Sequence, residues 1–304
     1  MRASLSAMER LTTAQLTVRM TTTRHTTTQQ TQHPTTLVLG GTGKTGRRIA
    51  ERLTAAGRPV RIGSRGGEPP FDWEDRATWA PALRGTGAAY LAYYPDIADP
   101  GAADTLRAFA EQAVRGGTRR LVLLSARGMD ATLPAERAVA VDGAEWTVIR
   151  ASWFFQNFSE GILRDGVLGG EIVFPAGDVK EPFIDADDIA EVAVAALTGD
   201  GQHAGRIHDL TGPRLLTFAE VAAEIARASG RAVRYAPVSA AEYGALLSGY
   251  GLSDDLVAFL TELFGTLLDG RNARVTDGVH RALGRAPRDF ADSAREAAAD
   301  GAWA

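Results

Sequence analysis

Ten residues, Leu37-Val38-Leu39-Gly40-Gly41-Thr42-Gly43-Lys44-Thr45-Gly46, leave this chain few folds to choose from. Three apolar residues enter a glycine cluster, and the cluster runs directly into Arg47-Arg48-Ile49-Ala50-Glu51-Arg52-Leu53. The order is strand, tight turn, helix. A helix start leaves backbone N–H groups without partners and carries a partial positive charge, so it attracts phosphate. Glycine suits the turn because a Cβ would hold a pyrophosphate off the backbone and the helix off the strand. A Walker-type phosphate loop needs a glycine five residues before Gly43-Lys44-Thr45; that position is Val38, so this reading is rejected. Read as G-x-G-x-x-G (Gly41, Gly43, Gly46) or G-x-x-G-x-x-G (Gly40, Gly43, Gly46), the run fits a dinucleotide-binding turn.

The chain around it has ordinary globular composition: 304 residues, 45% hydrophobic, 23% charged, net charge -4. A mildly acidic total gives no electrostatic reason to expect nucleic-acid binding. The absence of cysteine excludes disulfides, thiolate metal sites and cysteine nucleophiles. The five histidines show no metal-ligand spacing, so no metal is expected, and each histidine reads as solvated or structural. No apolar run approaches the roughly 20 residues of a membrane span, and a cytoplasmic protein is expected. Residues 1–35 stand apart: rich in Thr and Gln, with four arginines against one acid. Their composition resembles a transit peptide's, but they carry no amphipathic stripe, and a disordered leader preceding the fold is expected.

From Thr36 the pattern is α/β. Strands are expected at Leu37–Leu39, Pro59–Ile62, Pro70–Trp73, Ala88–Tyr93, Arg119–Leu124 and Trp146–Ile149, with helices at Thr45–Ala56, toward Leu83, at Gly101–Arg115 and at Pro134–Val141. Such alternation predicts a doubly wound parallel Rossmann sheet over residues 36–152. Ligands of these sheets lie across the strands' carboxyl ends, where Gly40–Gly46, Ser64, Arg65, Tyr93, Tyr94, Ser125 and Arg150 all fall. Residues 183–211 return to the core, with Asp185, Asp187 and Asp188 capping a helix and Ile207–Leu210 forming a strand. Residues 153–182 and 212–304 are expected to form a small, mostly helical α/β lobe. Within it Val173–Phe183 reads as loop, Val233–Pro237 as a strand, and capping boxes Thr217…Glu220 and Ser239…Glu242 open helices. Tail helices at Asp254–Leu268, Val275–Leu283 and Arg288–Ala299 would cover the site.

Ser64-Arg65 bears on the choice of cofactor. An acid after the second strand favours NAD(H) by accepting from the ribose 2′-hydroxyl. None is present, and a serine beside a bidentate guanidinium suits a 2′-phosphate, so NADP(H) is preferred over NAD(H). The plainer reading makes Arg65 a surface loop residue. Lys44 is expected near a phosphate, and Asp72 at the adenine amino group or capping a helix. The expected cofactor contacts are therefore Gly40, Thr42, Gly43, Lys44, Thr45, Gly46, Ser64, Arg65, Asp72, Tyr93, Ser125 and Arg150.

Four segments together carry a resemblance to a known family: Gly40–Gly46, Leu124-Ser125-Ala126-Arg127-Gly128, Trp146-Thr147-Val148-Ile149-Arg150, and Pro182-Phe183-Ile184-Asp185-Ala186-Asp187-Asp188-Ile189-Ala190. With Leu210-Thr211-Gly212-Pro213, they resemble the NmrA-like branch of the atypical short-chain dehydrogenases, in pattern nearest the bacterial relatives of agroclavine-dehydrogenase-type ergot-alkaloid reductases. The resemblance runs from about Thr36 to the C-terminus. It implies a Rossmann domain, a bound NADP(H) or NAD(H), and a C-terminal lobe closing the pocket.

One departure limits the chemistry. Neither lysine lies four residues after a tyrosine, so the Tyr-x-x-x-Lys pair of the best-known short-chain dehydrogenases is missing, and the corresponding helix carries Glu136-Arg137. A carbonyl oxygen whose carbon takes a hydride must also take a proton. The reaction expected is therefore reduction of a small organic acceptor such as an iminium, a quinone or an activated alkene. Ser125 and Tyr94 are its candidate catalytic groups, and Tyr94, Arg127, Trp153, Phe154 and Asn157 its pocket. The plainer reading of the aromatic cluster makes Phe154 and Phe158, at helical spacing, ordinary core. The alternative function is a non-catalytic NADP(H)-binding redox sensor acting through a protein partner; a third, fold-level option is an isomerase or orphan oxidoreductase.

Overall fold

The computed structural model describes residues 33–304, so the leader expected over residues 1–35 lies, up to residue 32, outside the described residues. The first half runs β1 (Thr35–Leu39), α1 (Lys44–Ala55), β2 (Val60–Gly63), α2 (Trp79–Leu83), β3 (Thr86–Leu91), α3 (Ala102–Arg115), β4 (Arg120–Ala126), α4 (Leu133–Ala138) and β5 (Glu145–Ala151). Next come α5 (Gln156–Ser159), α6 (Arg164–Gly169), β6 (Glu171–Phe174), β7 (Lys180–Glu181), α7 (Ala186–Thr198) and β8 (Arg206–Leu210). The chain ends with β9 (Leu216–Thr217), α8 (Phe218–Ser229), β10 (Arg234–Pro237), α9 (Ala240–Gly249), α10 (Asp254–Leu267), α11 (Gly278–Leu283) and α12 (Phe290–Ala299).

Six strands form one sheet in the order β2-β1-β3-β4-β5-β8, and every neighbouring pair is parallel. This is the doubly wound Rossmann sheet expected from the alternation. Its strands are near-continuous apolar runs because both faces are covered. Successive side chains then feed opposite cores. Leu37 and Leu39 of β1, Ala89 and Leu91 of β3, and Leu121 and Leu123 of β4 enter a core shared with Leu106 and Phe109 of α3. The alternate residues Val38, Tyr90 and Val122 pack with Ile49 and Leu53 of α1 and Ile189 and Val192 of α7.

Residues beyond β5 build a third core of aromatic rings, including Phe155, Phe158, Phe174, Phe183, Phe218 and Phe290. Phe174 and Phe218 stack at 5.2 Å, and Phe158 meets Phe183 edge-on at 5.6 Å. Two small sheets support it: β6 beside β10, parallel, and β7 beside β9, antiparallel. Val173–Phe183 therefore holds the end of β6 and all of β7 rather than loop alone. Both strands are short and pair with segments far along the chain, so nothing local marks them.

Pro70–Trp73, expected as a strand, is turned backbone. The Asp72 carboxylate accepts from the Glu74 N–H at 3.1 Å, and the Asp72 carbonyl accepts from the Trp79 indole at 2.9 Å. Prolines 69 and 70 offer no N–H to a ladder. The apolar spacing there reflects two anchoring rings, Phe71 and Trp73, each packed edge-on against Phe109. Asp75, rather than Asp72, caps the helical turn that follows, accepting from the Ala77 N–H at 3.0 Å.

Both capping boxes form, at Thr217/Glu220 and Ser239/Glu242. At α7 the three aspartates divide the work. Asp185 caps the helix, accepting from the Asp187 N–H at 2.7 Å; Asp187 pairs with Arg48 of α1 at 3.0 Å; and Asp188, fully buried, accepts from Arg285 and from the Arg288 backbone, each at 2.7 Å. Removing one partner of a buried ion pair strands the other. Asp188→Ala is accordingly expected to destabilise the fold by about 3 kcal/mol in urea unfolding, and a loss within the scatter of surface substitutions would show that the tail is held by other contacts.

His203 and His208 are both buried and share a ring-to-ring hydrogen bond of 3.0 Å. Burial, then the neighbouring His203 ring, presses His208 down to about 4 from an ordinary 6.5. The folded state thus disfavours the proton: the pair's contribution is complete above pH 6.5 and is lost as pH falls toward 4. Melting temperatures of the wild type and His208→Gln should therefore converge on acidification through that window; a constant gap would contradict the assignment.

Candidate active site

The glycine corner is built by close approach. Gly40 leaves β1 at φ 67°, and its carbonyl accepts from the Gly43 N–H at 2.9 Å. Helix α1 starts at the next residue, with no side chain capping it and no acid in its first turn. Gly46 passes so near that a Cβ would lie 2.2 Å from the Gly40 carbonyl oxygen. The helix start therefore presents backbone donors toward the strand's end, where a diphosphate fits. Thr42 is exposed on the turn. The Thr45 hydroxyl is committed elsewhere: it accepts from the buried Tyr90 phenol at 2.9 Å, bracing α1 on β3. Lys44 reaches into the adjoining cleft, where burial lowers its ammonium pKa against the pull of Glu160.

Ser64 and Arg65 follow the end of β2. The Ser64 carbonyl closes the loop, accepting from the Gly67 and Phe71 N–H groups at 3.0 and 2.9 Å. The exposed Arg65 guanidinium lies 5.7 Å from the centre of the Tyr94 ring. Tyr94 is itself 63% exposed and does not line the cleft. The structure thus sets Tyr94 beside Arg65 rather than among the pocket residues, and the half-buried Tyr93 takes the inward position.

A cleft of about 360 Å³ lies at the carboxyl ends of β3, β4 and β5. Of the residues expected there, Lys44, Tyr93, Ser125, Arg127, Trp153, Phe154 and Asn157 all line it. Leu263, Phe264 and Leu267 of α10 close one side, as expected for a tail helix. The aromatic run past β5 is shared between two tasks. Trp153 and Phe154 face the cleft, whereas Phe155 and Phe158 belong to the core, which the alternative reading had allowed for Phe158.

Arg150 is not brought to the cleft. It lines a separate hollow between α4 and β5, and its guanidinium grips Glu136 with Nε at 2.8 and 3.0 Å from the two carboxylate oxygens. The reason is local. Side chains alternate along β5, and Arg150 emerges on the side occupied by α4. Glu136 also accepts from the Ser125 hydroxyl at 2.6 Å. Ser125 therefore spends its only proton on a carboxylate, and toward the cleft it offers lone pairs. It can accept a hydrogen bond from a ligand, but it is poorly set to give up a proton.

The polar side of the cleft was legible only in part: Arg127 was expected there, Ser152 and Glu181 were not. Arg127 is buried; its Nη1 donates to the Asn272 carbonyl at 2.7 Å, and its Nε stands 2.8 Å from Asp209 but off the hydrogen-bonding axis. Burial lowers its pKa, and Asp209 opposes that. Five buried side-chain atoms of cleft residues have no hydrogen-bond partner among the described residues: Arg127 Nε and Nη2, Ser152 Oγ, Trp153 Nε1 and Glu181 Oε1. Burial pushes the Glu181 carboxyl up to about 7, against the pull of Arg127. Lys180 is exposed while Glu181 and Pro182 are both buried, and a strand of two residues shows no alternation to read.

Because a Cβ at residue 46 meets backbone, Gly46→Ala should cost on the order of 1–3 kcal/mol of local strain and lower dinucleotide affinity about tenfold or more. Fluorescence titration would measure it, and unchanged affinity would remove the corner from the binding site. No protein-family model matches the sequence. The uncharacterized oxidoreductase YesF of Bacillus subtilis is 38% identical over 274 residues, which span 86% of this chain and 95% of that protein. Agroclavine dehydrogenase of Claviceps fusiformis is 33% identical over 281 residues, spanning 85% and 95%. Among solved structures, triphenylmethane reductase from a Citrobacter species, complexed with NADP(H), superposes with a TM-score of 0.70 at 18% identity, covering 87% of this chain and 99% of that one. With the sheet, the glycine corner and these relatives in agreement, the chain belongs to the NmrA-like atypical short-chain dehydrogenase/reductases, a family of NAD(P)-dependent oxidoreductases.

Proposed function

We propose that the protein is an NADP(H)-dependent reductase that delivers hydride to a small organic acceptor such as a quinone, an activated alkene or an iminium. The observation that carries this reading is the union of two features in one crevice. A capless helix start fit for a diphosphate adjoins, through Lys44, an apolar cleft walled by Trp153, Phe154 and Phe264. A flat, conjugated acceptor matches aromatic walls of this kind. The relatives' names, agroclavine dehydrogenase and triphenylmethane reductase, agree with redox chemistry on organic ring systems.

The cofactor's diphosphate would lie on the backbone donors at Gly41–Thr45, with Gly40 and Gly46 keeping the approach open. Ser64 and Arg65 would take the 2′-phosphate, and the lone pairs of Ser125 a donor group of the nicotinamide ring. When bound, the reduced cofactor supplies a hydride. The chain's own share is to align the acceptor on Trp153 and to keep water from its face, which Leu263 and Phe264 of α10 do by covering the cleft. Arg150 and Glu136 enter only as the clamp that fixes the Ser125 hydroxyl.

Arg65 gives a sharp test of the cofactor. Arg65→Ala should weaken NADPH about ten- to a hundredfold while changing NADH less than about threefold; equal losses would sink the 2′-phosphate assignment. For the reaction, NADPH absorbance is followed with quinone, enone and iminium acceptors. Acceptor-dependent oxidation is expected, whereas tight NADPH binding with no turnover across the panel would favour the non-catalytic sensor.

A further inference from the structure

The reductase reading leaves a proton unaccounted for. Reduction of a carbonyl-bearing acceptor consumes one, the Tyr-x-x-x-Lys pair is missing, Tyr94 lies outside the cleft, and the Ser125 hydroxyl is bound to Glu136; Tyr93 and Lys44 line the cleft, but neither holds a buried polar atom left without a partner. One carboxyl in the cleft is uncommitted. Glu181 is 1% exposed, and its Oε1 is buried without a hydrogen-bond partner among the described residues. Its placement is fixed by the backbone: β7 pairs with β9, Glu181 opposite Leu216, so Lys180 points to solvent and Glu181 inward.

We propose that Glu181 is the proton donor of this cleft, and that the acceptor is a neutral conjugated carbonyl compound, a quinone or an enone, whose oxygen sits among Glu181, Arg127, Ser152 and Trp153. The proposal rests on the reductase reading and narrows it, because an iminium carbon becomes an amine without any proton. The orphaned atoms form a suitable set. Arg127 Nη2 and Trp153 Nε1 can only donate, Ser152 Oγ can donate, and a carbonyl oxygen gaining electron density can accept from two of them while a third lone pair takes the proton. The carboxyl completes the set when it carries its proton.

Electrons and atoms balance as follows. The reduced nicotinamide dinucleotide is oxidised by loss of a hydride, and the acceptor is reduced. As the new C–H bond forms at the acceptor's electrophilic carbon, the conjugated π pair shifts onto oxygen. The Glu181 O–H bond breaks while the new O–H bond forms; an enone then gives an enol that relaxes to the ketone, and a quinone gives the keto tautomer of its hydroquinone, which aromatises as the reduced carbon loses one proton to solvent and the second oxygen gains one. The carboxylate left behind faces the Arg127 guanidinium and is reprotonated from solvent through the cleft mouth.

The surroundings keep the proton in place at neutral pH. Desolvation is the larger influence on Glu181, and Asp269, just past α10, adds like-charge repulsion. Arg127 pulls the other way but is shared with Asp209, which Arg274 also approaches at 3.8 Å. Together these hold the carboxyl near 7, where a general acid is most effective.

The test has an arm that needs no turnover. In the protein without cofactor, infrared titration should show a protonated carboxyl band that disappears with a midpoint near 7 and is missing from Glu181→Gln. A midpoint in the ordinary carboxylate range would overturn the proposal. With NADPH and a quinone, the wild-type rate should fall as pH rises past that midpoint. Glu181→Gln, keeping its melting temperature and NADPH affinity, should lose about 100-fold in kcat together with the pH dependence. A Glu181→Gln rate within about threefold of wild type would overturn the proton donor and leave the reductase standing. A wild type that fails to oxidise NADPH with any of the acceptors would overturn the reductase reading itself, and the proposal with it.

Discussion

Everything in this molecule hangs on the contact between the Gly40 carbonyl and the first turn of α1. A helix can approach the end of a strand this closely only where no Cβ intervenes, and at Gly46 a Cβ would stand 2.2 Å from that carbonyl. The approach aims the uncapped N–H groups of α1 at the carboxyl edge of the sheet. It also presses Ile49 and Leu53 into the core beneath β1 and β3. Tyr90 then locks the arrangement from below through Thr45. Structural rigidity and ligand geometry are therefore one constraint at this corner, since loosening the turn would also misdirect its donors.

The second organising feature is the division of the cleft into unlike sides. Trp153, Phe154 and the α10 residues Leu263 and Phe264 offer apolar surface, while Arg127, Ser152 and Glu181 bring polar groups that the protein itself leaves unsatisfied. Buried polar atoms without partners are costly, so a fold tolerates several in one place only where something else supplies the partner. By contrast the charges around α7 are satisfied within the protein. Asp187 and Asp188 tie α7 to α1 and to the tail, and Glu136 is shared between Ser125 and Arg150. That contrast separates ion pairs that hold the fold from polar groups that await a ligand.

How far the sequence could be read follows from the range of the forces involved. The β1–α1 corner, the two capping boxes and the Asp185 cap are set by residues within six positions of each other, and all were legible. The parallel sheet was legible too, because strands buried on both faces leave long apolar runs. Pro70–Trp73 misled because buried rings on a turn imitate the spacing of a strand. Arg150 and Tyr94 were drawn to the site by their place at strand ends, but side-chain direction depends on what packs against each strand. Glu181 was invisible for a related reason: its burial is decided by β9 and by Arg127, both distant in sequence.

A structure of the complex with NADPH tests the central claim, that the corner and the cleft serve one reaction, most directly. The account requires the diphosphate within about 3 Å of the backbone nitrogens at the start of α1 and the nicotinamide ring in the cleft between Ser125 and Trp153. A diphosphate bound elsewhere, or a nicotinamide turned out to solvent with the cleft left to other contents, would contradict it.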